Sequence, residues 1–299
     1  MKRPALVAWL CSVVLAGCAA APPALAPDPV DDVLPFALSK LEEPGPLTGV
    51  VARVDLTDPR ITLRVALADD RDPDGSGPCT GRLDTVTGAA KKHDFILTLN
   101  ASFFSAPQVS LPAGRKARYV VGNCGTPVGF HASGGKVLTQ PKDAAMRTVF
   151  VVDQDGRPDI LDQVQTLPAN IREAVSGNVI VLKGGEVVQH AKDTARHPRS
   201  VVGLSRDRKT LFLVAVDGRQ VASRGATYAE TGELLKRLGA ADALNLDGGG
   251  STALVLKDPY TGAHGVMNRP SDIFPAHPWL GTERPVADVI GVSMKWRKP

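Results

Sequence analysis

Residues 227–256 read TYAETGELLKRLGAADALNLDGGGSTALVL. Thr227-x-x-Glu230 is a capping box at a helix start, and Tyr228, Leu234, Leu235 and Leu238 supply an apolar face. Lys236 and Arg237 in the last turn favour the helix dipole, and Gly239 ends the helix with a left-handed residue. Ala243-Leu244-Asn245-Leu246 then reads as a strand, Asp247-Gly248-Gly249-Gly250-Ser251 as a turn, and Ala253 to Leu256 as another strand. A capped helix between strands, inside a chain of alternating apolar segments, predicts an α+β fold: a single mainly strand-built domain with a few packed helices.

The glycine turn is the segment richest in chemistry. Glycine loses the most backbone freedom on folding, so three in a row imply a close approach to the backbone. Consecutive glycine amides at Gly248, Gly249 and Gly250, with Ser251, are expected to converge on an anion as a nest, with Asn245 and Asp247 facing the same region. No Gly-Lys-Ser/Thr follows, so this is not a nucleotide-binding P-loop. Gly249-x-Ser251-x-Ala253 nearly matches a nucleophile elbow, but an elbow leads into a helix and this turn leads into a strand.

Outward from this stretch, Val50 to Leu56 and Ile61 to Leu67 alternate as strands across an Asp58-Pro59 turn. Leu83 to Lys92 is expected to be helical, and Phe95 to Leu99 a buried strand ending at Asn100. Further strands are expected at Val149 to Val152, Val179 to Leu182, Ser200 to Leu204, Leu211 to Val216 and Val286 to Met294. Residues 105–127, with Arg115, Lys116 and Arg118, read as a long irregular loop, either a functional lid or a solvated basic surface. Arginines in Pro-, Asn- or Gly-containing loops, at His197-Pro198-Arg199, Met267-Asn268-Arg269 and Glu283-Arg284, suit oxyanion recognition. Asp217-Gly218-Arg219 follows an apolar strand and is either a hairpin turn or part of a site. The six histidines show no metal-ligand spacing, and most are expected to be structural or exposed.

Lys+Arg of 35 against Asp+Glu of 31 leaves a net charge of +4, a near balance that gives no support for nucleic-acid binding. At the start, Lys2 and Arg3 precede an apolar run from Ala5 to Ala16, too short for the roughly 20 residues of a membrane helix. Leu15-Ala16-Gly17-Cys18 resembles a bacterial lipobox, implying a signal peptide over 1–17 and lipidation of Cys18. Ala19 in place of a retention Asp favours the outer membrane, facing the periplasm, if the cell is diderm. Residues 18–47 are Pro-rich and read as a tether, with a docked helix at Val33 to Leu41, and 48–299 as the folded domain. Export permits Cys79 and Cys124 to pair.

Taken in order, Arg199-Ser200-Val201-Val202-Gly203, Asp217-Gly218-Arg219, Ser223 and Gly225, the helix from Thr227, Leu238-Gly239-Ala240, the Asn245–Ser251 turn and Asn268-Arg269-Pro270 resemble the phosphodiester glycosidase family. Asn100-Ala101-Ser102-Phe103-Phe104 resembles its earlier motif and Glu283-Arg284-Pro285-Val286-Ala287 its closing one; the resemblance covers residues 48–295. Arg199-Ser200 stands where the family usually has Arg-Thr. The resemblance implies hydrolysis of a sugar linked through C1 to a phosphodiester, the substrate being a phosphorylated glycan or similar sugar-phosphodiester. Phosphate leaves readily, so such a site needs a positive cradle and a carboxylate near the oxocarbenium-like carbon. Arg199, Arg269, Arg284 and the Gly248–Ser251 amides are the candidate cradle; Asp247 or Asp217 the candidate nucleophile or base; Asn100, Asn245 and Asn268 the candidate sugar contacts. No cofactor is expected, with a divalent cation left open. Two other readings remain: a glycan-binding lipoprotein without catalysis, and a metal-dependent phosphodiesterase using Asp217 and Asp247 as ligands.

Overall fold

Alternating apolar side chains commit Leu47–Asp55, Ile61–Leu67 and Thr210–Val216 to strands, and antiparallel pairing of such strands builds most of the protein. The computed structural model describes residues 34–43, 47–70, 79–142, 144–191, 193–274 and 277–296. The segment read as a signal peptide, Cys18 and most of the stretch read as a tether lie outside the described residues.

The largest sheet runs Phe36–Glu43, Leu47–Asp55, Thr210–Val216, Arg199–Leu204, Asp242–Asn245, Val179–Lys183 and Glu186–Val187 in spatial order. Helix α2 (Tyr228–Leu238) covers one face. Its Leu234 and Leu235 pack against Val181, Val201, Phe212 and Val214. The alternate residues Leu211, Leu213 and Ala215 are also fully buried, so the sheet is covered on both faces. The capping box is formed as read: Thr227 accepts from the Glu230 N–H, the Glu230 carboxylate accepts from the Thr227 N–H, and Gly239 closes the helix at φ 98°.

A second sheet runs His264–Val266, Leu254–Lys257, Leu97–Asn100, Asp288–Met294 and Ile61–Leu67. Helix α1 (Val86–His93) packs Val86, Ala89 and Ala90 against Phe95, Val255 and Val289. A third sheet, Lys136–Thr139, His131–Ser133, Ile171–Gly177, Thr148–Asp153 and Pro158–Leu161, has its own core of Phe130, Val149, Val151 and Ala174. Only the Thr148–Asp153 strand of that sheet is anticipated by the sequence pattern.

Two expectations are corrected. Phe36–Glu43, read as tether and partly as helix, is an edge strand paired residue for residue with Leu47–Asp55. Its Leu, Lys and Glu content favours a helix, but eight residues cannot sustain one alone, and the open edge of the large sheet supplies backbone partners. The folded body therefore starts earlier than Thr48. Within 105–127, Val109–Ser110 pairs with Lys116–Ala117, and Cys124–Pro127 pairs with both Gly81–Arg82 and Phe104–Ser105. Cys79 and Cys124 are disulfide-bonded, with Cα atoms 5.4 Å apart, so this loop is anchored rather than loose.

Register brings the singled-out residues to one place. Arg199 pairs with Val216, just before Asp217, and Val201 pairs with Asn245. In the second sheet Val289 pairs with Asn100 and Leu254 with Leu99. The ends of strands from two sheets thus meet where the glycine turn crosses between them.

The packing of α2 yields a sign test. Glycine to alanine usually stabilises a helix by about 1 kcal/mol. At Gly232 an added Cβ would lie 2.3 Å from the Val181 carbonyl oxygen and 2.9 Å from Val187 Cγ1. Gly232→Ala is expected to lower stability by roughly 1–3 kcal/mol in urea unfolding; a stabilised variant would show that α2 does not seat on the sheet as described.

Candidate active site

The chain leaves the large sheet at Asn245 and enters the second sheet at Leu254. Three backbone and side-chain bonds fix the crossing. Leu246 N–H donates to the Ser200 carbonyl at 2.9 Å, Asp247 N–H to the Ala101 carbonyl at 2.9 Å, and Asn100 Nδ2 to the Asp247 carbonyl at 2.7 Å. Asn100 Oδ1 in turn accepts from the Ser200 hydroxyl at 2.6 Å and from Ala253 N–H at 3.2 Å. Asn100 is fully buried. It braces the turn and offers nothing to a sugar hydroxyl, contrary to the expectation.

Each glycine of the turn is explained by what approaches it. A Cβ on Gly248 would lie 2.5 Å from the Pro198 carbonyl oxygen. Gly249 adopts φ +61°, and a Cβ there would lie 3.0 Å from Arg219 Nη2. A Cβ on Gly250 would collide with Asp272 Oδ1 at 2.1 Å and Arg284 Nη2 at 2.2 Å. Three of the amides expected in a nest are committed within the protein: Gly249 N–H donates to the Pro198 carbonyl, Ser251 N–H to the Gly248 carbonyl, and the Gly248 amide to the Asp247 carboxyl. The glycines instead admit two guanidinium groups to the turn. Ser251 is buried on the way into a strand, and its hydroxyl serves the Asp247 carboxyl, so it does not act as an elbow nucleophile.

Asp247 carries the perturbed acid of this turn. Burial pushes its carboxyl from 3.8 up to about 6. The Ser251 side chain, Arg284 and the Gly248 amide pull the other way, while Asp288 adds to the rise. The group therefore titrates near neutrality, where acid–base catalysis is efficient.

Several predicted site residues prove to be supports. Asp217 Oδ2 accepts from the Thr48 hydroxyl at 3.0 Å, and Oδ1 accepts from Asn268 Nδ2 at 3.2 Å and Arg269 N–H at 2.7 Å. With its oxygens so engaged and its side chain buried, Asp217 holds the 268–270 segment in place, and the nucleophile or base role expected for it is not supported. Asn268 also accepts from Leu254 N–H at 2.9 Å and donates to the Thr252 carbonyl. Asn245 donates to Asn178 Oδ1 and to the Leu246 carbonyl, both at 2.8 Å. Arg199 is buried, donates to the Ala226 and Ala195 carbonyls and stacks over Tyr228 at 4.0 Å. Of the expected cradle arginines, Arg284 abuts the turn, and Arg269 lies exposed at its rim.

Four contributors escaped the sequence reading as site residues. Arg219, exposed and held at φ 60°, reaches over Gly249. Asp272 pairs with Arg284 above Gly250. Tyr119, from the disulfide-anchored loop, lies against Arg284 at 4.3 Å and edge-on to Phe104. His197 is held below its ordinary pKa by burial first and then by Arg199 and Arg219. Beneath the site, buried Asp288 accepts from the Ser102 N–H and hydroxyl and bonds His131 Nδ1, all at 2.8 Å. Only the Asp217-Gly218-Arg219 run had a signal in the sequence, an arginine after a strand-end turn.

Comparisons with known proteins bear on the family and the fold. A family model described as phosphodiester glycosidase matches residues 93–293. The fold is similar to the catalytic domain of zebrafish N-acetylglucosamine-1-phosphodiester alpha-N-acetylglucosaminidase auto-inhibited by its pro-peptide, with TM-score 0.60, 20% identity, and 87% of this chain and 82% of that one covered. It is also similar to the crystal structure of a hypothetical protein from Synechocystis, with TM-score 0.54, 15% identity, and coverage of 87% and 62%. In sequence, 98 residues are 34% identical to the SPbeta prophage-derived uncharacterized protein YomE of Bacillus subtilis (strain 168). That stretch spans 33% of this chain and 13% of YomE.

The raised pKa of Asp247 has a consequence for stability. Between pH 4 and about 6 the native state holds a proton that the unfolded chain has released, so stability falls as pH rises through this window. Asp247→Asn removes the buried charge. At pH 7.5 the variant is expected to exceed the wild type by roughly 1–3 kcal/mol, the gap closing near pH 4. Thermal melts across this range provide the check, and a variant less stable at pH 7.5 would contradict the burial argument.

Proposed function

Because the chain belongs to the phosphodiester glycosidase family, we propose that it hydrolyses the C1–O bond of a sugar-1-phosphodiester, releasing a free sugar and a phosphomonoester. The observation that carries this reading is the placement of a carboxyl with pKa about 6 on a turn whose glycines lie under Arg219 and Arg284. In this reading the phosphate rests against the two guanidinium groups, which neutralise charge as it departs. A stabilised phosphate needs little protonation from an acid. Asp247, ionised above pH 6, supplies negative charge to the oxocarbenium-like carbon. Arg269 adds positive potential at the rim. The braces Asn100, Asp217, Asn245 and Asn268 hold this geometry rigid, so little reorganisation is needed during reaction.

The sugar class follows the zebrafish relative: an N-acetylglucosamine-1-phosphodiester, here on a cell-surface or exopolysaccharide glycan. We further propose that Cys18 carries a lipid that tethers the domain in the cell envelope, at the outer membrane of a diderm cell. Attack at phosphorus through a shared cation is less well supported, because Asp217 commits its oxygens to Thr48, Asn268 and Arg269.

Hydrolysis of an N-acetylglucosamine-1-phospho-alkyl diester in water enriched in heavy oxygen tests the reading. The label is expected in the sugar, at a rate unchanged by chelator. Label in the phosphate would assign a phosphodiesterase, and tight binding without turnover a glycan-binding protein.

A further inference from the structure

The edge of Arg284 best suited to a phosphate already carries a carboxylate. Nε donates to Asp272 Oδ2 at 2.9 Å and Nη2 to Oδ1 at 3.0 Å, the two-point geometry in which arginine grips phosphate or carboxylate. Tyr119 covers the guanidinium at 4.3 Å, and the Gly250 backbone lies directly against the pair. Asp272 differs from the other acids nearby. Asp217 and Asp288 are buried and accept from three donors each. Among the described residues the Asp272 carboxylate bonds only Arg284, and its side chain is 32% exposed. A brace would be buried and saturated; this group stands at the open side of the site.

We propose that Asp272 sets the charge of the ligand that the site accepts, admitting a monoanionic phosphodiester and disfavouring a dianionic phosphomonoester. Any phosphate reaching Arg284 must share it with Asp272 and lie near it. A diester brings one negative charge to that encounter. A monoester above its second pKa, about 6, brings nearly two and meets correspondingly greater repulsion. The device would favour substrate over phosphomonoester product and hasten product release. It rests on the proposed reaction only for the identity of that product, since the selectivity itself is a property of binding.

Calorimetric titration of the intact protein with methyl phosphate and dimethyl phosphate at pH 8 tests the proposal without turnover, so an absence of glycosidase activity would sink the proposed reaction and leave this result readable. The wild type is expected to bind methyl phosphate no more tightly than dimethyl phosphate, despite the extra charge. Asp272→Asn is expected to tighten methyl phosphate binding about tenfold or more while moving dimethyl phosphate less than about threefold; Asp272→Glu should retain the wild-type ratio. Should the Asn variant not fold, Asp272→Ser serves the same comparison, and the wild-type ratio needs no variant. Wild-type preference for methyl phosphate by about tenfold, or an equal shift of both ligands in the neutral variant, would overturn the proposal.

Discussion

The side-chain amide of Asn100 joins segments that belong to different sheets. It stands at the end of a strand of the second sheet, accepts from Ser200 of the large sheet, accepts from the backbone of Ala253, and donates to the carbonyl of Asp247. Buried amides left unpaired are costly, so a saturated one specifies a single arrangement of its partners. Here that arrangement is the crossing turn. Without it, the glycines would have no fixed position beneath Arg219 and Arg284, and the Asp247 carboxyl no fixed environment. The strand ends converge because of register, but this amide converts convergence into a site.

Two opposing demands then meet at Asp247. Burial disfavours its charge, and the arginine that would hold a phosphate favours it. Burial wins, which leaves a carboxyl that changes charge at about 6. Beyond Ser251, Arg284 and the Gly248 amide, the polar residues gathered here add no further relief. They are occupied with one another: Asp217 with Thr48, Asn268 and Arg269; Asn245 with Asn178; Arg199 with carbonyls and Tyr228. Most of the polar side chains gathered here keep the scaffold rigid, and a small remainder faces the ligand.

Much of this was legible in the sequence, unevenly. The 227–256 stretch declares its helix, its stop and its turn because capping, periodicity and glycine are local effects. Phe36–Glu43 reads as tether and helix because its residues prefer a helix, and only pairing with the next strand, Leu47–Asp55, decides otherwise. Most of the third sheet went unseen because its strands are short and weakly patterned. At the site, residue type and order located the neighbourhood, but a sequence does not reveal where lone pairs and N–H groups are spent. Asn100 and Asn268 therefore read as sugar contacts and Asp217 as a nucleophile or base, whereas all three brace the scaffold. Asp272 lies three residues beyond Arg269 in no chemical pattern; only the tertiary approach of Arg284 to Gly250 gives it meaning.

In the proposed site Asp247 and a bound phosphate share one pocket. Carbon-13 NMR titration of the Asp247 carboxyl, assigned through Asp247→Asn, measures this directly. The expected midpoint is near 6 and rises when inorganic phosphate is bound, because a neighbouring anion disfavours a second negative charge. A midpoint near 4, unmoved by phosphate, would contradict it.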